Sequence, residues 1–121
     1  MGKSVPKMGG SMKLLWTNPN PGAASFAEQR IDLDLSPYDL LIVTAASDTT
    51  YAQTYGGYSV SFGQVGKTNA LTALGNYITR RSYVADNSGI SFKGAVAVST
   101  YGSQQSNNAV CIPIEIYGVI L

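Results

Sequence analysis

Residues 110–121 (VCIPIEIYGVIL) constrain the fold more than any other stretch of the chain. Val110, Ile112, Ile114 and Ile116 recur at every second position, so an extended backbone sets all four on one face. Cys111, Pro113, Glu115 and Tyr117 then occupy the other. A helix would scatter the same residues around its axis. The alternation predicts a half-buried β-strand. Pro113 brings no N–H to a ladder and is tolerated at edges, strand starts or bulges, so the strand is expected to be unpaired near Pro113 or paired across a bulge. A strand this apolar needs cover, and the rest of the chain must supply it.

The preceding segments read as further strands. Residues 12–16 form a short apolar strand, broken by 17–22 (TNPNPG), where each proline pushes its preceding asparagine towards extended geometry and makes an ordered loop. In 29–35, Ile31, Leu33 and Leu35 alternate with Arg30, Asp32 and Asp34. Residues 36–39 (SPYD) are a turn, and 40–46 is a continuous apolar run, suggesting a strand covered on both faces; 29–35 and 40–46 are expected to pair antiparallel. Residues 47–57 read as a loop or hairpin tip and 58–65 as a strand, while 70–74 suits a short helical turn or a strand. In 76–85, Tyr77, Thr79, Arg81 and Tyr83 share one face. The polar turn 86–89 leads to a strand over 90–100, in which Gly94 marks a bulge, and 101–108 (YGSQQSNN) is a loop. The expected architecture is an all-β, single-domain antiparallel sandwich, jelly-roll-like, of about seven or eight strands.

The chain's 121 residues suit one core, placed here at residues 12–121. Residues 1–11 (MGKSVPKMGGS) read as a flexible arm, with Lys3 and Lys7 as candidate anchoring groups, or as a leader without a role. Charged residues make up only 12%, about half the usual share. A net charge of +1 provides no field for nucleic acid or an anionic membrane, and no apolar run approaches the roughly 20 residues needed to cross a bilayer. Histidine is absent, which removes Ser-His-Asp and Cys-His catalysis and His-ligated zinc from this chain. The single cysteine cannot form an intramolecular disulfide and fits synthesis in a cytoplasm.

Four constellations remain. Residues 63–68 (GQVGKT) hint at a phosphate loop, but the pattern needs glycine six residues before the lysine, where Ser61 stands; a hairpin turn is expected. Asp32 and Asp34 share a face without an adjoining acidic cluster, so they read as a solvated strand face and not as a paired-carboxylate or calcium site. Arg80 and Arg81 alternate faces, so one must point inward or into a contact; Cys111 reads as an inert packed thiol. Tyr51, Tyr55, Tyr58 and Tyr101, with Gln104 and Asn107 in the polar segment, are the candidate ligand or receptor contacts. Tyrosine faces stack on sugar C–H groups while amides and hydroxyls bond sugar hydroxyls. The same tyrosines also suit the ends of a β core or a subunit interface.

Leu14-Leu-Trp-Thr-Asn-Pro-Asn-Pro21, Ser25-Phe-Ala27, the Ile31-Asp-Leu-Asp-Leu-Ser-Pro-Tyr-Asp39 segment and Ile112-Pro-Ile-Glu-Ile-Tyr-Gly118 together resemble a family of small bacteriophage virion structural proteins of tail-fibre, receptor-binding-knob or head-fibre type. The resemblance implies a β-rich knob, often trimeric, exposed on a phage particle, and brings no catalytic motif; taken with the tyrosines, the expectation is a non-enzymatic protein of the virion surface, without a cofactor, that contacts other virion proteins and a host-surface glycan. A capsid decoration or head-fibre subunit anchored through its N-terminal arm is the alternative. The residues before Met12 fall outside the resemblance.

Overall fold

The computed structural model describes residues 11–48, 59–74, 78–98 and 104–121. These form nine strands and no helix: β1 (Ser11–Thr17), β2 (Gln29–Asp32), β3 (Leu40–Asp48), β4 (Ser59–Gly63), β5 (Thr68–Leu74), β6 (Ile78–Asp86), β7 (Gly89–Val98), β8 (Gln104–Ser106) and β9 (Val110–Ile120). Two antiparallel sheets face each other. Sheet I has the order β1-β9-β3-β4, and sheet II runs β2-β7-β6-β5 with β8 added to β7. The expected sandwich is therefore present. The strand count exceeds the expected seven or eight because β8 lies within the segment read as a loop; exposed at all three positions, it carries no apolar alternation.

The C-terminal strand is the centre of sheet I, paired with β1 on one side and β3 on the other. Pro113 sits in this central strand at the bulge, where the β3 partners jump from Thr44↔Glu115 to Ala45↔Pro113. On the side facing β1, the Asn18 side chain donates to the Pro113 carbonyl at 2.8 Å and the Asn18 N–H to that of Ile114 at 2.7 Å. The irregular ladder is thereby satisfied by a loop asparagine.

Segments 29–35 and 40–46 do not pair with each other. β2 follows β7 in sheet II, and beyond Asp32 the chain continues along the β6–β7 turn, with the Leu33 and Leu35 N–H groups donating to Ser88 and Asn87 carbonyls. Leu35 then enters the core and the chain crosses to sheet I. Tyr38 lays its ring against Gly118, so a short connection covers a bare position of β9 and leaves no room for a side chain there.

The interior is built from Leu41, Val43, Ala45, Ile112, Ile114 and Ile116 of sheet I against Leu71, Tyr83, Ala85, Ile90 and Phe92 of sheet II. Trp16, Phe26 and Phe92 pack edge-on or tilted with centroids 5.5 to 6.4 Å apart. The 70–74 segment resolves as strand. The 63–68 segment is not the expected hairpin turn: it carries the chain from β4 in sheet I to β5 in sheet II, with Gly66 at φ 84° and Asn69 bridging Gln64 and Lys67.

Candidate functional site

The strand ends divide the molecule into two unlike ends. Leu74, Ile78, Val98 and Gln104 lie side by side across sheet II, with Ser59 beside them through its hydroxyl to the Leu74 N–H. In sheet I, Ser59 opposes Ala45, and Asp48 opposes Val110. The strand ends that flank residues 49–58, 75–77 and 99–103 therefore meet at one end of the sandwich. Ser11, opposite Ile120, and the β4–β5 and β6–β7 turns lie at the other.

Of the candidate contacts, Gln104 and Asn107 are described and both are exposed. Gln104 accepts a 3.0 Å bond from Arg80 across sheet II. The Asn107 side chain accepts from the Ala109 N–H at 2.9 Å, an Asx turn that aims the chain into β9. Beside it is a hollow of about 250 Å³ lined by Gly94, Ala95, Val96, Ser106, Asn107 and Asn108. It opens where β7 bulges at Lys93 and Gly94, as the partners shift from Tyr83↔Phe92 to Arg81↔Ala95. Tyr51, Tyr55, Tyr58 and Tyr101, and Lys3 and Lys7, lie outside the described residues.

Arg81, and not Arg80, is the inward arginine. It is fully buried, and it donates to four backbone carbonyls: Lys93 at 2.7 Å, Cys111 at 3.0 Å, Val110 at 3.2 Å and Asn108 at 3.4 Å. Its guanidinium also lies 5.1 Å from the centre of the Phe26 ring. These carbonyls are freed from regular ladders by the β7 bulge and by Cys111, whose φ of 49° breaks the start of β9. Burial lowers the Arg81 pKa to about 10, which leaves it charged at neutral pH. Burial also pushes the Cys111 thiol up to about 11, the nearby Arg81 charge offsetting only part of this. Arg81 joins the two sheets beneath the candidate contact end; no sequence pattern separates it from Arg80, because a buried arginine bonded only to backbone leaves no acidic partner to find.

At the opposite end Arg30 grips Asp86 with two bonds of 2.9 and 3.2 Å, and also reaches Ser88, Ser91 and Asp32. The Arg30 bond, with Ser88 N–H and hydroxyl donors, holds the Asp86 carboxyl well below its ordinary range. The Ser36 hydroxyl and N–H, donating to Asp34, lower the pKa of that carboxyl too. Asp32 and Asp34 rim an open depression of about 390 Å³ with Leu33, Asn87 and Ser88. The Asp34 and Asp86 carboxyls, held ionised in this way, accept hydrogen bonds and pin a turn; they are poor proton donors near neutral pH. Among the described residues no group of three or more histidine, cysteine, aspartate or glutamate side chains converges on a metal position.

A third feature escaped the sequence reading. On the outer face of sheet I, the register aligns Leu14, Tyr117, Ile42 and Phe62 in one row across all four strands. Met12, Val119 and Leu40 form the next row, and Thr17, Glu115, Thr44 and Val60 the one on the other side. The apolar run of 40–46 was the available signal: β3 is covered on its inner face, while Leu40 and Ile42 remain half-buried on the outer one.

No protein-family model, curated protein or solved structure matches the chain.

Proposed function

We propose that this chain is a non-enzymatic bacteriophage virion protein, a β-sandwich knob that is held at the end where β1 begins and recognises a host surface, of glycan chemistry, through the other end. The observation that carries the reading is the separation of the two ends. The strand ends bordering the Tyr51, Tyr55, Tyr58 and Tyr101 segments gather together with Gln104 and Asn107, and Ser11 starts at the opposite pole. A module that must be tethered and must also touch a target needs such polarity. The low charge and abundance of tyrosine, glutamine and asparagine suit neutral sugars.

The test is binding of the full chain to a glycan array and to host cells, with Tyr51→Ala, Tyr55→Ala, Tyr58→Ala and Tyr101→Ala measured singly. At least one substitution is expected to weaken binding about tenfold or more, as loss of an aromatic anchor does. Binding that survives all four, combined with failure of a chain lacking residues 1–10 to join particles, would replace recognition by capsid decoration.

A further inference from the structure

We propose that the outer face of sheet I is the surface through which copies of this chain associate with one another, side by side. The three rows across β1, β9, β3 and β4 hold Met12, Leu14, Leu40, Ile42, Val60, Phe62, Tyr117 and Val119. Met12, Leu14, Val60 and Phe62 are 60, 47, 57 and 69% exposed. The outer face of sheet II is more mixed: one row of Leu74, Ile78, Val98 and Gln104 is largely apolar, while the others bring Thr72, Arg80, Val96 and Ser106 together, then Ala70 with Ser82, then Thr68, Val84, Ser91 and Arg30. A sandwich with solvent on both sides would carry polar residues on both outer faces. Here every one of these rows of sheet II carries a polar side chain, whereas in sheet I the row of Met12, Val119 and Leu40 carries none and that of Leu14, Ile42 and Phe62 only the Tyr117 hydroxyl.

The size and charge of the patch select the occupant. Its apolar surface is on the order of 500 Å², the upper range for a monomer, and two copies mated on it would remove about 1,000 Å², where specific interfaces begin. The three rows contain one charged residue, Glu115, which accepts a 3.4 Å bond from Thr44. A face without cations offers nothing to an anionic lipid surface or an acidic peptide. Its complement is an equally uncharged, flat, apolar sheet, and the chain supplies one in every other copy. An axis parallel to the strands sets β9 of one copy over β3 of the next. Each Glu115 then meets a Thr44 hydroxyl and not a second carboxylate, Leu14 meets Phe62, and the candidate contact ends of both copies point the same way. Sheets stacked face to face in this manner sit about 10 Å apart.

The inference does not depend on what the protein recognises, and mass alone tests it. Sedimentation velocity of the full chain at tens of micromolar is expected to give a multimer. The Leu14→Lys/Phe62→Lys double variant is expected to sediment as a monomer with an unchanged circular dichroism spectrum, while Thr72→Lys, on the outer face of sheet II, keeps the wild-type mass. Should the double variant fail to fold, Phe62→Gln is expected to weaken association about tenfold or more. A wild-type monomer, or association unaffected by Phe62→Gln, overturns the proposal.

Discussion

At the scale of single residues, Arg81 decides how the two sheets hold together. Period-two alternation in 76–85 showed that Arg80 and Arg81 must point to opposite faces, and this was as far as local pattern could go. Choosing between them requires the carbonyls of Lys93, Asn108, Val110 and Cys111, which chain reversals bring from elsewhere. Those acceptors come from a bulge and a left-handed residue, features that leave little imprint on sequence. Arg81→Met should remove the donors and strand buried carbonyls, lowering unfolding free energy by about 3 kcal/mol or more in urea titrations at constant slope. Arg81→Lys should restore less than half of that loss, because an ammonium cannot reproduce a planar fork of donors. A Met variant as stable as wild type would show that the carbonyls find other partners.

At the scale of elements, strands were legible wherever one face is buried and the other is not. β6 alternates exposed and buried without interruption, and its reading from sequence was correct to within a few residues. β8 was hidden because both its faces are exposed, and the pairing of 29–35 with 40–46 failed because strand adjacency depends on the intervening turn. Here that turn crosses between sheets. The β6–β7 hairpin has its own test, through Asp86. Its folded-state pKa lies below the ordinary 3.8, so as pH falls through that value the unfolded chain takes up protons first. The stability contributed by the Arg30 and Ser88 contacts is thus present above about pH 4 and lost progressively below it. Thermal melts from about pH 6 down to about pH 2 should show a steeper fall in Tm below pH 4 for wild type than for Asp86→Asn. Parallel curves would mean that the carboxylate contributes nothing to the hairpin.

At the scale of the whole molecule, two asymmetries carry the functional account: unlike ends along the strands and unlike outer faces across them. The sequence contained the material for both. The tyrosine-bearing segments and the apolar excess were visible, but their placement depends on which strand ends coincide and which strands become neighbours. That information is non-local, so Leu14 and Phe62, 48 positions apart, could not be assigned to one row before the order β1-β9-β3-β4 was known. Hydroxyl-radical footprinting of the unmodified full chain at tens of micromolar tests the central asymmetry most directly. Each side chain's labelling is referred to the same residue in the denatured chain. In the protomer Phe62 and Val60 are 69 and 57% exposed, and Leu74 and Ile78 of sheet II match them at 67 and 56%. Phe62 and Val60 are predicted to be protected several-fold relative to Leu74 and Ile78; equal labelling of the two pairs would contradict the account.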